Sequence, residues 1–454
     1  MEQLVQKAGE LIWSWPLLGL FLGVGILYTI RLRGIQFRFL GKAFKGIFRK
    51  NTDRGISAYG ALCTALAATI GTGNIVGVAT AVTAGGPGAL FWMLVAAVFG
   101  MATQYAECFL AAKYKKPGGF GGPFLYIGQG LGKKYRPLGK IYAFLGAAAG
   151  LLGVGTVTQV NSITSAVDSF FGGPEAFGNV SWATLVSGTL VAAASALVLL
   201  GGIDRISGVC QMLVPFMSAV YVLGSLMILW TFGDRIPAAL LLIFKSAWNP
   251  KAALGAAAGI GLRQAVRMGV GRGVFTNEAG LGTSAIAAAA SGEKDPVRQG
   301  LVSMTGTFID TIVICTMTGL CLIVTDAWKM PLEGIRITDY AWRTGLPWAE
   351  SLSSFILMIS LVLFAFATII GWNFYAEQCL SFLTGGRGRK IYRLCYIVTI
   401  AVAPYYSVHL AWETADILNA LLAIPNLIAL LLLQNQVVKE TDKKLLLRRR
   451  KPPA

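Results

Sequence analysis

The sequence predicts an all-α, polytopic membrane protein with eleven transmembrane helices, of which spans two to eleven form a 5+5 inverted repeat. Two observations support this fold class. First, 55% of the 454 residues are hydrophobic and only 13% are charged, whereas soluble domains carry roughly 25% charged residues. Second, two of the long apolar runs are interrupted by glycines and polar residues, and the interruptions lie five spans apart.

Hydropathy divides the chain into eleven apolar segments. The first is predicted as a true span and not as a signal peptide, because its flank MEQLVQKAGE carries two acids against one lysine and no small-residue cleavage site follows. The fourth, seventh and ninth segments are long, so they must tilt, break or protrude. The segments are Leu11–Arg31, Ser57–Val82, Ala89–Ala112, Leu138–Phe170, Trp182–Leu200, Ser207–Thr231, Ala252–Ala290, Leu301–Val324, Ser351–Leu383, Ile391–Val408 and Ala411–Leu433.

Basic residues are concentrated in alternate loops. If the N-terminus lies outside, the inner loops and the C-terminal tail hold 29 of the 39 Lys and Arg residues, in agreement with the positive-inside rule. The sequence therefore predicts a multi-pass protein of the cell (plasma or inner) membrane, with the N-terminus outside and the C-terminus in the cytoplasm. The formal charge of +18 is explained by basic segments that face an anionic lipid leaflet, including the cytoplasmic tail 434–454. No nucleic-acid partner is expected.

Other compositional features exclude several classes of protein. The seven cysteines lie in or beside apolar segments, which indicates buried thiols and not a disulfide framework. His409 is the only histidine, so neither a histidine-based metal site nor a Ser/His/Asp triad is expected. No loop is long enough to hold a globular core. We therefore expect a single membrane domain over residues 1–454 and no enzymatic activity.

The two interruptions are GTGNIVG, Gly71 to Gly77 in the second segment, and GVGRGVFTNEAGLGTS, which begins at Gly269 in the seventh. Because an odd number of spans separates them, the second unit must be inverted in the membrane relative to the first. The predicted units are an extra first span at 11–34, a first repeat at 57–231 and a second repeat at 252–433. Glycine-interrupted helices at corresponding positions of inverted repeats indicate the binding site of a secondary transporter.

A helix that breaks within the membrane exposes free backbone groups. Freed N–H groups at the positive end of a helix dipole suit a carboxylate, and freed carbonyls suit Na⁺ or a substrate ammonium. A small amino acid with Na⁺ therefore fits better than a sugar or a lipid. Glycines also permit close helix packing, which is our interpretation of GLLGVGT in the fourth segment. Packing does not explain the polar residues beside the two breaks, which are Asn74, Thr276, Asn277 and Glu278.

Four stretches are specific enough to indicate a family. They are GTGNIVGVATAVTAGGPGALFWMLVAAVFGMATQYAE (Gly71 to Glu107), GRGVFTNEAGLGTSAIAAAA, FIDTIVICTMTGL and TIIGWNFYAEQC (Thr368 to Cys379). With these motifs the chain resembles the sodium:alanine symporter family, the alanine or glycine:cation symporters, over nearly its whole length. One departure is Leu94, where the family's FWMW pattern reads FWML. We expect this change to affect the packing of the third span.

The resemblance implies a LeuT-type fold, Na⁺ as the coupling ion, and small neutral amino acids such as alanine and glycine as substrates. It also implies roles for residues at both breaks. Thr72, Gly73 and Asn74 would hold the substrate carboxylate at the first break. At the second break, Phe275 would be a gating aromatic and Thr276 would supply a hydroxyl to the ion or the substrate.

The resemblance further implies a Na⁺ site between the second and ninth spans. Its ligands would be the carbonyls of Ala67 and Ile70, Ala365, and the hydroxyl of Thr368. The i to i+3 spacing of Ala365 and Thr368 places both on one helix face. Trp372, one turn beyond Thr368, would form a wall of the pocket for the substrate side chain.

Several polar residues near this predicted site have two interpretations. Gln159 and Asn161 lie on the fourth span, which borders the site in this fold, so they would face the substrate or make interhelical hydrogen bonds. Asp310 marks an ion or substrate path, or it is a structural partner of an arginine or of neighbouring hydroxyls. Glu278 would cap the second half-helix or contact the substrate ammonium.

Charged residues towards the ends of the spans also have alternative roles. Arg263, Arg267 and Arg272 would form an outer gate or line a vestibule, or they would extend their charged ends out of the membrane. The second interpretation is preferred for Arg263, and a functional role is preferred for Arg272, just before the second break. Glu107 and Glu377 are predicted to form inner-gate or structural ion pairs with the basic inner loops, in preference to the alternative of binding an ion.

The sequence thus predicts a secondary active symporter that couples Na⁺ influx to uptake of small neutral amino acids by alternating access. The alternatives are an H⁺-coupled or differently selective carrier, which would involve Asp310, Glu278 or His409, and an ion channel, which would need a continuous polar pore. The choice among alanine, glycine, serine and D-isomers stays open, because one methyl group is worth about 1–3 kcal/mol in a pocket. Stoichiometry and oligomeric state stay open too.

Overall fold

Helices form nearly all of the regular structure in the part of the chain that the computed structural model describes. Two predicted regions fall outside this part, namely residues 252–260 at the start of the second repeat and residues 446–454 of the basic tail. Within it, the strands form one short antiparallel hairpin. The described residues are Gly9, 11–49, 56–172, 175–177, 180–248 and 261–445.

The α-helices are α1 (Trp15–Arg31), α2 (Ile35–Arg38), α3 (Leu40–Ile47), α4 (Ala58–Thr69), α5 (Val78–Gly85), α6 (Gly88–Tyr114), α7 (Pro123–Gly130), α8 (Arg136–Leu152), α9 (Val157–Phe171), α10 (Trp182–Leu199), α11 (Gly202–Thr231), α12 (Ile236–Trp248), α13 (Leu262–Asn277), α14 (Ser284–Ala290), α15 (Pro296–Thr307), α16 (Thr316–Val324), α17 (Ile335–Gly345), α18 (Glu350–Thr384), α19 (Arg389–Val402) and α20 (Val408–Leu445). Wider π-helical turns occupy Gly73–Gly77 and Phe308–Cys315. Single 3₁₀ turns lie at Lys133–Tyr135, Gly233–Arg235, Ala327–Lys329 and Ala403–Tyr405, and the strands are β1 (Glu175–Phe177) and β2 (Val180–Ser181).

The helical membrane fold is confirmed. Among the described residues, seven helical segments are long and apolar enough to cross a membrane, or eight when the bent pair α4–α5 is counted as one span. The first predicted span forms a helix of 17 residues and the tenth a helix of 14. At about 1.5 Å per residue these two helices fall short of about 30 Å of hydrocarbon. The count of eleven and the 5+5 repeat therefore stay predictions.

The second predicted span breaks where its glycines lie. Helix α4 ends at Thr69, Ile70 is extended with ψ of 92°, and the chain continues through the π-helical turn into α5 at an angle of 53° to α4. Glycine is required at two positions of this break because neighbouring side chains lie very close to the backbone there. A Cβ atom on Gly71 would lie 2.4 Å from the Thr368 hydroxyl oxygen, and one on Gly73 would lie 2.8 Å from Cγ2 of Thr276.

The seventh predicted span breaks after α13, and its second half begins with α14. Glu278, Gly280 and Gly282 have positive φ angles of 56°, 99° and 78°. The left-handed conformation is accessible to glycine at no steric cost and uncommon for other residues. Glycines therefore occupy two of the three left-handed positions, and Glu278 occupies the third.

The long third span, α6, packs against both broken helices and against α1 and α15. Helix α1 packs on the outside of this group, where the Tyr28 hydroxyl donates a 2.7 Å hydrogen bond to the Leu430 carbonyl of α20. In the fourth span the chain is interrupted between α8 and α9, at the GLLGVGT run. A Cβ on Gly150 would lie 2.4 Å from Ala376 Cβ of α18, so the predicted packing role of this run is confirmed.

The N-terminal end of α4 and the C-terminal end of α14 are joined by backbone contacts, which we call the backbone clasp. Ile56 and Ser291 form an isolated parallel bridge, and the Gly292 N–H donates a 2.9 Å hydrogen bond to the Ile56 carbonyl. Lys115, which follows α6, donates to the carbonyls of Ser291 and Glu293 at 2.6 and 2.8 Å. The two broken helices are thus tied together at one end of the molecule.

Candidate functional site

The freed amides of the first break are capped by side-chain oxygens. The Gly71 N–H donates to Asn74 Oδ1 at 2.9 Å, and the Thr72 N–H donates to Gln159 Oε1 at 3.3 Å. Asn74 Nδ2 in turn donates to Asp310 Oδ1 at 2.7 Å. Amides that donate to a side-chain oxygen at this distance present the same donor geometry to a carboxylate oxygen.

The Thr72 hydroxyl adds an unpaired polar group to this break. Thr72 is fully buried, and its hydroxyl oxygen has no hydrogen-bond partner in the described part of the chain. A buried hydroxyl without a partner costs free energy. A polar ligand at the break would supply the missing partner.

Three of the four predicted Na⁺ ligands lie together. The Thr368 hydroxyl oxygen is 3.1 Å from the Ala67 carbonyl oxygen and 3.4 Å from that of Ile70. On its own helix, α18, the hydroxyl also donates to the Phe364 carbonyl at 3.2 Å. Ala365 is fully buried one turn before Thr368. Hard oxygen donors freed by a helix break are the groups that hold Na⁺ in secondary transporters with broken helices, so these residues fit the ion.

The second break lies directly against the first. A Cβ on Gly73 would meet Phe275 Cδ1 at 3.2 Å as well as Thr276. The Thr276 hydroxyl donates to the Gly273 carbonyl at 2.8 Å and lies 3.4 Å from the Thr311 hydroxyl. The structure therefore brings together the residues predicted at the two breaks.

Glu278 is buried at the second break and both of its carboxylate oxygens accept hydrogen bonds. Trp372 Nε1 donates to one at 2.7 Å, and the Thr283 hydroxyl donates to the other at 2.6 Å. The predicted pocket wall Trp372 is fully buried, and a Cβ on Gly155 would lie 2.8 Å from its Cβ. Trp372 is thereby held in one orientation by Glu278 and by the glycine-rich interruption between α8 and α9.

Asp310 is fully buried in the π-helical stretch that precedes α16. Its carboxylate accepts from Asn74, and from the Thr311 hydroxyl at 2.7 Å. The predicted hydroxyl partner is confirmed. The arginine partner is wrong for the described residues, in which no basic side chain forms an ion pair with Asp310.

Two aromatic rings and an ion pair cover the second break on the side away from the backbone clasp. We call these four residues the aromatic cluster; they are Phe275, Trp412, Arg272 and Asp416. The rings of Phe275 and Trp412 stack with centroids 5.1 Å apart. The Arg272 guanidinium lies 5.5 and 5.4 Å from the two centroids and binds both carboxylate oxygens of Asp416, at 3.1 and 2.7 Å. Arg272 therefore links the second break to α20.

The two glutamates near span ends have different partners. Glu377 binds Arg393 through both oxygens, at 2.7 and 2.8 Å, so its predicted ion pair is confirmed. The same prediction is wrong for Glu107. Its Oε1 accepts from the Gly280 N–H at 3.0 Å and from Asn426 Nδ2 at 2.5 Å, because α6 runs beside the second break and not beside a basic loop at this point.

Sequence reasoning missed Trp412 and Asp416, which lie in the polar run AWETAD at the start of α20. That polar run interrupts an apolar segment, and this interruption is the sequence feature from which the two residues could have been predicted. It also missed Asn426, a single amide in an apolar helix, which connects Glu107 to the Gly280 carbonyl at 2.9 Å. Asn161, predicted beside Gln159, has a buried Nδ2 without a partner in the described ranges.

Comparisons with known proteins agree with this arrangement. The sequence profile of the sodium:alanine symporter family matches residues 1–450. An uncharacterized transporter of Haemophilus influenzae is 47% identical over 450 residues, 97% of this chain and 95% of the relative. The sodium/alanine symporter AgcS of Methanococcus maripaludis is 44% identical over 96% of both chains. YrbD of Bacillus subtilis, a putative sodium/proton-dependent alanine carrier protein, is 34% identical over 95% of this chain and 90% of its own.

Among solved structures, MhsT in complex with L-phenylalanine resembles the protein with a TM-score of 0.63 at 14% identity, over 86% of this chain and 93% of MhsT. This likeness shows the fold alone, which is the LeuT-type transporter fold. The family and the fold are those of multi-pass membrane transporters and not of enzymes. The match over nearly the whole length places the chain in the sodium:alanine symporter family.

Proposed function

We propose that the protein is a secondary active symporter that couples Na⁺ influx to the uptake of a small neutral amino acid, such as alanine or glycine. The observation that carries the proposal is the first break, where freed amides and an unpartnered buried hydroxyl directly follow the two carbonyls that lie against the Thr368 hydroxyl. A zwitterion and a small hard cation together use all of these groups.

In this proposal, Na⁺ is held by the carbonyls of Ala67 and Ile70, by Ala365 and by the hydroxyl of Thr368. The ion orders the extended residues of the first break, and their amides then face the substrate. Because Ile70 directly precedes the amides that bind the substrate, the cation and the amino acid stabilise the same backbone conformation. This shared segment is the physical basis of coupling.

The substrate carboxylate binds at Thr72, Gly73 and Asn74. Gln159 accepts from the Thr72 N–H in the structure, so a carboxylate that binds this amide displaces the Gln159 oxygen or lies beside it. Phe275 and Thr276 lie on the other side of the substrate at the second break. Trp372, held by Glu278, limits the room for the substrate side chain.

In this proposal, alternating access depends on two closures, the aromatic cluster at one end of the site and the backbone clasp at the other. With the N-terminus outside and the C-terminus in the cytoplasm, the aromatic cluster lies towards the outside and the backbone clasp towards the cytoplasm. Opening of the cluster admits ion and substrate from outside, and release of the clasp delivers them to the cytoplasm. The protein acts as a carrier in the cell membrane.

The proposed function predicts that labelled alanine accumulates in proteoliposomes only when a Na⁺ gradient is directed inward. The control replaces Na⁺ by K⁺ at equal ionic strength. Equal uptake in K⁺ buffer would refute Na⁺ coupling, and passive single-channel currents would favour a channel. Competition by glycine, serine, glutamine and D-alanine against the labelled substrate gives the selectivity.

An H⁺-coupled carrier is the second candidate. Asp310 and Glu278 are buried acids without a basic partner among the described residues, and intramembrane acids of this kind carry protons in other transporters. YrbD, named above, is a relative with a sodium/proton-dependent name. Alanine uptake driven by a pH gradient in the absence of Na⁺ would favour this candidate, and its absence would favour Na⁺ alone.

Gln159→Glu is expected to raise the KM for alanine by at least about tenfold, because a second carboxylate at the Thr72 amide repels that of the substrate. The measurement is alanine uptake against alanine concentration at saturating Na⁺. Asn161→Asp is the matched control, since residues two apart on a helix point away from each other and Asn161 has no hydrogen bond to the break. An unchanged KM for Gln159→Glu would place the substrate elsewhere.

A further inference from the structure

The last helix, α20, is longer than a membrane span needs to be. It has 38 residues, about 57 Å at 1.5 Å per residue, whereas about 20 residues cross the hydrocarbon of a bilayer. The eleventh apolar segment ends at Leu433, and the helix continues to Leu445. We call residues 434–445 the inner strap, because in the proposed topology they lie on the cytoplasmic side.

One face of the inner strap is buried against the rest of the protein. Val437 and Thr441 are four residues apart, which places them on one face of a helix, and each has at most 3% of its surface exposed. The hydroxyls of Thr441 and Tyr105 of α6 lie 2.7 Å apart. Tyr114, also of α6, donates to Gln436 Oε1 at 2.8 Å. The inner strap is therefore packed along α6 and is not a free helix end.

Two ion pairs connect the inner strap to the surroundings of the backbone clasp. Lys113, near the end of α6, binds Glu440. It lies two residues before Lys115, which donates to the carbonyls of the clasp. One turn further along the strap, Lys444 Nζ lies 2.7 Å from Asp295 Oδ2. The strap thus binds both α6 and the segment that connects α14 to α15.

Asp295 transmits this contact to the backbone clasp. Its side chain accepts from the Val297 N–H at 3.1 Å and caps the start of α15. Its own N–H donates to Glu293 Oε1 at 2.9 Å, so the short loop 291–295 is held as one unit. This loop carries the Gly292 N–H that bonds the Ile56 carbonyl. The position of the loop relative to α6 therefore decides whether that bond can form.

Both ion pairs lie at the surface, where they can exchange with solvent. The side chains of Lys113 and Glu440 are 24% and 39% exposed, and those of Lys444 and Asp295 are 46% and 16% exposed. Pairs of this kind are weak individually and are screened by salt. They suit a contact that has to be released and formed again in every transport cycle.

We propose that the inner strap is part of the cytoplasmic closure, and that Glu440 and Lys444 are positioning residues that hold the loop 291–295 where the backbone clasp forms. The two pairs then set the equilibrium between the closed and the open clasp. Only the assignment of this end to the cytoplasm rests on the proposed function. The contacts between strap and clasp do not depend on which ion or substrate is carried.

Hydrogen–deuterium exchange of the Gly292 amide tests this proposal, in lipid nanodiscs and K⁺ buffer without Na⁺ or amino acid. This amide is bonded to the Ile56 carbonyl, so it exchanges when the clasp opens. Lys444→Gln and Glu440→Gln are each expected to speed its exchange by about 2- to 5-fold. Raising KCl from about 50 to about 500 mM is expected to speed it in wild type and much less in the double variant.

Three variants separate the ion pairs from a general loss of folding. Lys443→Gln is the matched control, because Lys443 is an exposed neighbour that forms no ion pair with any residue the structure describes; its exchange should equal that of wild type. Lys444→Arg keeps the charge and should do the same. The reversed pair, Lys113→Glu with Glu440→Lys, should restore the protection that Glu440→Lys alone removes.

Unchanged exchange of the Gly292 amide in both Lys444→Gln and Glu440→Gln would overturn the proposal. Faster exchange spread equally over distant helices such as α1 and α10 would show a loss of overall stability and would overturn it too. A lack of Na⁺-driven alanine uptake by wild type would refute the proposed function instead, and would leave the exchange result as it stands.

Discussion

Replacement of Gly71 by alanine is expected to reduce Na⁺-driven alanine uptake by about 10- to 100-fold, the effect of an overpacking cost of about 1–3 kcal/mol. The added Cβ would lie 2.4 Å from the Thr368 hydroxyl oxygen and 3.2 Å from Gln159 Oε1. To relieve this contact, Thr368 must rotate its hydroxyl away from the carbonyls of Ala67 and Ile70. The measurement is initial uptake in proteoliposomes at several Na⁺ concentrations.

Gly77→Ala is the matched control for this substitution. Gly77 is the last residue of the π-helical turn that follows Gly71, and a Cβ there would meet nothing within 4 Å. Its uptake is expected to stay close to that of wild type. Normal uptake by Gly71→Ala would show that the packing around Thr368 is not required, and a loss in both variants would assign the effect to backbone flexibility.

Thr368→Val is expected to raise the Na⁺ concentration for half-maximal uptake by about 10- to 100-fold. The hydroxyl lies 3.1 and 3.4 Å from the two carbonyls of the proposed ion site, and a hydrogen-bonding group lost from a charged partner costs about 1.5–3 kcal/mol. Valine keeps the shape of the side chain, so the maximal rate at saturating Na⁺ should fall less than the apparent affinity. Uptake against Na⁺ concentration, at fixed alanine, gives both quantities.

Two further variants sharpen this prediction. Thr368→Ser keeps the hydroxyl and is expected to retain most of the Na⁺ affinity. The double variant Gly71→Ala with Thr368→Val should be less impaired than the sum of the single losses, because both act on the same oxygen and such effects are not additive. An unchanged Na⁺ dependence in Thr368→Val would remove Thr368 from the ion site.

The breaks were accessible to sequence reasoning because their cause is local. Gly71 and Gly73 are poor helix formers, and they stand within an apolar run where nothing else explains them. The spacing of Ala365 and Thr368 likewise depends only on helix geometry. The residues that a helix presents on one face can therefore be predicted before any tertiary contact is known.

Partners across the fold were not accessible in this way. Glu107 lies 173 positions from Gly280 in the chain, and Arg272 lies 144 from Asp416. Which helices become neighbours depends on packing throughout the molecule. The number of spans was equally hard to predict, because hydropathy cannot distinguish a continuous helix from two short helices with a break between them.

Asn74 connects the first break to Asp310, two parts of the site that lie far apart in the sequence. Its oxygen accepts from the Gly71 amide and its nitrogen donates to Asp310. A change in the bonding of Asp310 is therefore passed through one side chain to the amides of the first break. This makes Asp310 relevant under either choice of coupling ion.

The backbone clasp has a consequence for how tightly the movements of ion and substrate are coupled. Because the Gly292 N–H bonds the Ile56 carbonyl, an opening at this end of the molecule has to break a contact that both broken helices share. A path that opened beside one helix alone would let Na⁺ cross without the amino acid and dissipate the gradient as uncoupled leak. Under the proposed Na⁺ coupling, a joint release would make such leak rare and would keep the ratio of ions to substrate constant from cycle to cycle.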